Sequence, residues 1–339
     1  MKAGPIVEAL LASTEPSVRW KVRSNVLGEP SDTSGMRALR EEIRVSPRAR
    51  GLLEGRSVDR SESTGIGVYH KWQGQHWALL ALADLGYPER DAQLAPVRDR
   101  VLSHWLSQEF RTSFPAATKA QTYRKGGVPL LRGRYRRCAS QQGGALFSTT
   151  VLGLADERSN ELVELLLRWQ WPDGGWNCDR APTAATSSFT ETWLPMVGLW
   201  AHFEATGDRR AEGAARRAAE VLLARRMFRR IADGSLLDRE FVRLHYPLYW
   251  HYDILGGLKA VGRLGLLRDG RCSEALDLLE SKRLPDGGWP AEGRYYRAGG
   301  PTVPNSDSVA WGGTSTRHRN EWVTSDALGV LRRAGRLDI

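Results

Sequence analysis

At 339 residues, 41% of them apolar, the chain is long enough for one large or two ordinary domains and for a sizeable core, which excludes a disordered chain. Its three cysteines, Cys138, Cys178 and Cys272, are odd in number and lack C-x-x-C spacing, which argues against a disulfide framework and a zinc ribbon. The net charge of +10 is concentrated: no acidic residue falls between Glu109 and Asp156, whereas Arg111, Lys119, Arg124, Lys125, Arg132, Arg134, Arg136 and Arg137 do, a segment suited to phosphates, diphosphates or acidic polymers, or a solvated basic loop.

The first residues, Met1 to Ser13, carry one lysine and a short apolar run broken by Glu8, too weak for a secretory signal. No run is long and apolar enough for a transmembrane helix, so a cytoplasmic protein is expected. From Gly4 to about Glu54, apolar residues at helical spacing, punctuated by prolines, predict three short helices. Pro16, after Ser13, Thr14 and Glu15, marks one helix start. Arg56 to Gly67 is polar and reads as a loop.

Five later segments each lead from polar or aromatic residues into a Leu/Ala/Gly-rich helix: His76-Trp77, Gln141-Gln142, Phe189-Thr190-Glu191, His251-Tyr252-Asp253 and Glu321-Trp322 open them. These helices are apolar on more than one face and read as inner helices packed between neighbours. Between them, Leu94–Trp105, Asn160–Trp169, Arg209–Met227 and Glu274–Lys282 carry a single apolar stripe and read as outer helices. Such alternation predicts an all-α fold of stacked or ring-closed helical hairpins. Strand-like alternation is scarce, Glu240 to Tyr246 being the best extended segment.

The strongest local signal is a repeat. Pro172-Asp173-Gly174-Gly175-Trp176 returns as Pro285-Asp286-Gly287-Gly288-Trp289, each after an apolar helical run, with glycines for a tight turn and a tryptophan that folds back on the helix end. Asp173 and Asp286 read as turn formers. Gln170-Trp171-Pro172-Asp173-Gly174-Gly175-Trp176, behind Leu165 to Leu167, resembles the Q-x3-G-x-W end of the QW repeat of squalene-hopene and oxidosqualene cyclases. The second copy keeps the G-x-W without a matching glutamine. The wider prenyltransferase and squalene-oxidase repeat family includes protein prenyltransferase β subunits. The resemblance covers about residues 140 to 335 and implies an α/α toroid around a central cavity: one domain over residues 1–339, with N-terminal hairpins and loop at 1–67, toroid repeats at 68–339 and a basic insertion at about 111–137.

The chain has neither the D-x-D-D of proton-initiated cyclases nor the D-D-x-x-D of ionisation-type synthases. Cys178, Asp179 and His251 supply the residue types of the protein prenyltransferase zinc site without its spacing, and the signatures of lanthionine cyclases are absent.

The densest polar-aromatic segment runs from His245 through Tyr246, Tyr249, Trp250, His251 and Tyr252 to Asp253. His251 or Asp253 there reads as a general acid or base, with His245, Tyr249, Trp250 and Tyr252 orienting a ligand, or the segment is a hydrogen-bonded helix start. Asp179 and Glu191 read as a candidate carboxylate pair for acid-base work; the alternatives are an Asx turn and a helix cap. His76, Trp77, Gln141, Gln142, Trp176, Arg294 and Tyr295 complete the candidate binding set, and Arg132, Arg134, Arg136 and Arg137 the anion-binding set. His70 with His76, or His76 with Cys138, Cys178 and His251, could ligate zinc, but no H-E-x-x-H or C-x-x-C pattern supports it and no metal is expected.

The functional expectation is an enzyme of the terpenoid-cyclase or prenyltransferase type acting on an isoprenoid or prenyl diphosphate in an aromatic cavity. The alternatives are a glycosidase or lyase on the same fold, and a non-catalytic binder of nucleic acid or a protein partner. The sequence assigns no cofactor, reaction or oligomeric state.

Overall fold

In the computed structural model, which describes all residues except 1–3, 57–64, 125, 301–302 and 339, the two PDGGW segments close on the same hydrogen bonds. Trp171 N donates to Gly175 O at 2.8 Å and Leu284 N to Gly288 O at 2.8 Å; Gly174 N donates to Trp171 O and Gly287 N to Leu284 O, both at 2.9 Å. The indole of Trp176 folds back to donate to Leu166 O at 3.0 Å, and that of Trp289 to Leu279 O at 2.7 Å. Gly174 and Gly287 adopt φ of 99° and 86°, the left-handed region where a side chain is strained. Gln170 donates to Gly174 O at 2.7 Å, and in the second copy Arg283 takes that place, its Nε donating to Gly287 O at 3.0 Å. The missing glutamine is thus replaced by another donor of similar reach.

Among the described residues the chain is predominantly helical. In order the α-helices are α1 (Gly4–Leu11), α2 (Pro16–Lys21), α3 (Ser34–Arg44), α4 (Pro47–Gly55), α5 (Gln75–Leu85), α6 (Ala95–Trp105), α7 (Gln108–Arg111), α8 (Ser140–Val151), α9 (Glu157–Trp169), α10 (Phe189–Thr206), α11 (Arg209–Leu223), α12 (Ile254–Arg263), α13 (Ser273–Ser281) and α14 (Glu321–Arg333). The strands are short: β1 (Ser113–Ala116), β2 (Val128–Leu131), β3 (Arg134–Tyr135), β4 (Arg297–Ala298) and β5 (Ser306–Asp307). No helix of the described residues is long and apolar enough to cross a membrane.

The chain divides into two compact units, one formed by residues 1–89 and 224–339, the other by 90–223. In the first, Pro16 occupies the first turn of α2 and Glu15 caps it, accepting from Ser17 N. α2 runs into a π-helical turn, Val22–Val26, and Pro47 opens a fourth N-terminal helix where the periodicity predicts three, Ser46 capping it through Ala49 N. The polar loop expected at Arg56 to Gly67 lies largely outside the described residues. The extended segment expected at Glu240 to Tyr246 is instead a 3-10 turn, Glu240–Val242, followed by a single bridge from His245 to Gly293.

In the second unit α8 and α10 approach backbone to backbone. A Cβ on Gly143 would lie 2.3 Å from Pro195 N, and one on Gly198 2.5 Å from Gly143 O. α11 buries an alanine stripe, Ala211, Ala214, Ala215, Ala218 and Ala219, at helical spacing. The basic segment is a small sheet, not a bare loop: β2 pairs with β1 in parallel, Ser113 opposite Val128, and with β3 antiparallel, Leu130 opposite Tyr135.

Candidate functional site

In the first unit, many of the expected binding residues meet in one stack of rings. His251 lies flat on Tyr295 with centroids 3.7 Å apart; Tyr295 stacks on His245 at 4.2 Å, and Trp250 on His251 at 4.2 Å. Trp72 stacks on Tyr249 at 4.2 Å and meets Trp77 edge-on at 4.8 Å; His76 meets Trp77 edge-on at 4.7 Å, and Trp72 reaches His251 at 5.4 Å. Trp72, Trp77 and Tyr249 are buried, whereas Trp250, His251 and Tyr295 are half-buried, so the group has both a packed floor and an accessible edge. The Lys71 ammonium sits 4.9 Å from the Trp250 ring centroid and 5.5 Å from that of Trp72.

Tyr249 has a φ of 52°, rare for an aromatic residue. It is held there by the Trp72 stack and by its hydroxyl, which donates to Asp307. Asp307 also accepts from Arg56 at 2.8 Å and from the Trp311 indole at 2.8 Å. Backbone strain over-determined in this way is a mark of functional sites. His251 Nδ1 lies 3.2 Å from Leu248 O; since a carbonyl only accepts, Nδ1 carries the proton and Nε2 keeps the lone pair. Burial, with added repulsion from Lys71 and His245, pushes the His251 pKa down to about 4, so the ring is neutral at physiological pH.

Asp253 is fully buried and already committed. Oδ1 caps α12 by accepting from Gly256 N at 2.8 Å, and Oδ2 accepts from His245 N at 2.8 Å. His245 Nε2 faces Glu240 at 3.1 Å. Tyr252 is buried, its hydroxyl donating to Met227 O at 2.7 Å, while Arg294 is exposed over the Tyr296 ring.

Sequence reading passes over a second polar group in this unit. Lys21 bridges Asp84 at 2.8 Å and Asp326 at 3.0 Å; Lys259 bridges Asp84 at 3.0 Å and Asp326 at 2.5 Å. The Tyr246 hydroxyl donates to Asp84 at 2.7 Å. Against the cost of burial, Lys21 and Lys259 hold the Asp84 carboxyl well below the usual range.

In the second unit, Cys138, Cys178 and Glu191 come together, with their ligand-type atoms within 4.8 Å of one another. Glu191 is buried; its Oε2 accepts from Ser140 N at 3.0 Å and Ser140 Oγ at 2.8 Å, while Oε1 faces the Cys178 thiol at 3.4 Å. Burial raises the Glu191 pKa. The Cys138 side chain, burial and Glu191 push the Cys178 thiol well up. Arg137 interacts electrostatically with all three. Its guanidinium is seated on Phe110, 3.9 Å from the ring centroid, between Trp105 at 5.8 Å and Trp169 at 5.9 Å, and it donates to Gln141 at 3.3 Å.

The remaining candidates are placed more simply. Asp179 is exposed and forms an Asx turn, accepting from Ala181 N at 2.8 Å. Asp286 accepts from Gly288 N at 3.0 Å within its turn, whereas Asp173 reaches out of its own to accept from Ser187 N at 2.7 Å and Ser187 Oγ at 2.6 Å, just ahead of α10. Trp176 is buried in the repeat turn, and Gln142 is fully buried. Arg136 is buried and donates to Asp179 O and Ala184 O at 3.1 and 3.0 Å, so it ties a loop down. Arg134 lies over Trp171, and Arg132 is exposed. No protein-family model matches this chain, and no curated protein matches it.

Proposed function

We propose that the chain is an isoprenoid-processing enzyme of the terpenoid-cyclase or prenyltransferase type, built as an α/α toroid, and that a prenyl chain lies against the rings around Trp72, Trp250 and His251. The observation that carries this reading is the ring stack itself, with an ammonium already against two indole faces. Faces that attract Lys71 also stabilise an allylic or tertiary carbocation. Lys71, and Arg294 next to Tyr295 in the chain, supply positive charge for a diphosphate. His251, neutral and with its Nε2 lone pair, is the group suited to take the proton whose loss ends a carbocation reaction. The toroid is supported by the alternation of enclosed and one-sided helices and by one copy of the PDGGW turn in each unit.

The test is ligand-dependent thermal denaturation with farnesyl and geranylgeranyl diphosphate, squalene, acidic oligosaccharides and short DNA at two salt concentrations. A prenyl diphosphate at a hundred times its Kd stabilises by about 2.7 kcal/mol, a readily measured rise in Tm. Trp250→Ala and Lys71→Met each abolish that rise while leaving the unliganded Tm within a few degrees. A rise with oligosaccharide or DNA alone replaces the isoprenoid reading with the sugar-active or nucleic-acid one.

A further inference from the structure

The geometry points to a zinc site in the second unit, formed by Cys138 Sγ, Cys178 Sγ and Glu191 Oε1, with a fourth coordination position left open. This inference is independent of the isoprenoid reading, because it rests on different residues in a different unit.

The donor set comes first. Two thiolates with one carboxylate suit Zn2+ over hard cations such as Mg2+ or Ca2+, which take oxygen ligands. A tetrahedral zinc with bonds of about 2.3 Å to sulfur and about 2.1 Å to oxygen needs neighbouring donors roughly 3.5 to 3.8 Å apart. Cys178 Sγ and Glu191 Oε1 are already 3.4 Å apart, and no pair in the group exceeds 4.8 Å, so side-chain rotation suffices to close it.

The carboxylate is also pre-aimed. Ser140 occupies Oε2 twice, through its N–H and its hydroxyl, which leaves Oε1 as the oxygen turned to the Cys178 thiol. An outer partner that fixes one oxygen and frees the other is what orients a monodentate metal ligand. Charge balances as well. Two thiolates, a carboxylate and Zn2+ sum to −1, and the ring-seated Arg137 guanidinium supplies +1 beside them. Because cysteine ligates as the thiolate, metal binding releases the two thiol protons to solvent and tightens as pH rises. Both cysteines are partly exposed, which gives the ion a route in.

The spacing gives no hint of this, since Cys138 and Cys178 lie forty residues apart by number and the third ligand is a glutamate opening α10. With three protein ligands among the described residues, the site has the coordination of a catalytic zinc, with the fourth position for water or a substrate thiolate.

The test is the metal content and spectroscopy of the full chain purified under reducing conditions. One equivalent of zinc per chain is expected, falling below about a tenth in Cys138→Ser and in Cys178→Ser and unchanged in Cys272→Ser, which removes the third cysteine. Ser140→Ala retains the ligands and weakens zinc affinity about 10- to 100-fold. Replacing zinc by Co2+ in the unmutated chain gives an intense thiolate-to-cobalt charge-transfer band with tetrahedral d–d bands, so the result does not depend on whether any variant folds. Stoichiometric zinc that survives both cysteine variants overturns the proposal. So does a metal-free chain that takes up neither zinc nor cobalt, or one whose Cys138 and Cys178 are joined as a disulfide under those conditions.

Discussion

Burial holds the His251 imidazole near pKa 4, against 6.5 for an ordinary histidine. On acidification the unfolded chain therefore takes up this proton first. Stability linked to neutral His251 is complete above about pH 6.5 and is lost as pH falls toward 4. His251→Gln is expected to flatten that part of the acid limb in urea denaturation while changing stability at pH 7.5 by less than about 1 kcal/mol. Unchanged acid sensitivity in the variant would assign the limb to other groups. Sequence alone marks His251, Tyr249, Trp250 and Tyr295 because aromatic and titratable residues are dense there. It gives no sign of Asp307, which holds the Tyr249 hydroxyl together with Arg56, because those partners are brought in from distant parts of the chain. Nor does it show that Asp253 is spent on capping α12 and on His245 N, a matter of where the helix starts.

At the level of elements, the PDGGW turn is readable because the hydrogen bonds that close it run between residues three or four apart. A Cβ on Gly175 would lie 2.4 Å from Thr192 Oγ1, the atom that accepts from Trp176 N at 3.2 Å. Gly175→Ala is thus expected to cost about 1–3 kcal/mol by overpacking. Thr192→Val, which keeps the shape and removes the acceptor, should cost about 1–3 kcal/mol. Chemical denaturation of both variants measures this, and a neutral Thr192→Val would mean that the turn holds without its anchor on α10. The basic segment shows the opposite case. Its strands are four residues or fewer and contain Pro115 and Pro129, so no alternation survives in the sequence, and the parallel pairing of β1 with β2 depends on register across a long connection. The enclosed α5 and the one-striped α11, by contrast, follow from periodicity, since an enclosed helix and a one-sided helix need different apolar patterns.

At the scale of the whole molecule, the largest feature hidden from the sequence is the quartet of Lys21, Asp84, Lys259 and Asp326. Each lies on a different helix, and only their convergence shows that the charges cancel. Lys21 and Asp326 have 2% and 5% of their side chains exposed, so Lys21→Met strands carboxylates that have lost one cation and should cost about 3 kcal/mol or more. Because Lys21 and Lys259 hold Asp84 below the ordinary carboxylate range, its contribution is present from neutral pH down through pH 4 and is lost only in stronger acid. Lys21→Met should therefore shift the acid unfolding midpoint upward, as circular dichroism across a pH series would show. An unchanged midpoint would mean that Lys259 alone holds the pair of aspartates.

The first unit is assembled from both arms of the chain, residues 1–89 and 224–339, around an inserted stretch that forms the second. On a ribosome adding about 5–20 residues per second, α1 to α5 emerge roughly 10 to 50 s before α14 delivers Asp326. During that interval Lys21 has no Asp326 to meet, and the apolar faces that α14 will cover stay open to chaperones. The inserted stretch, continuous in sequence, can close while the first unit still lacks its C-terminal arm.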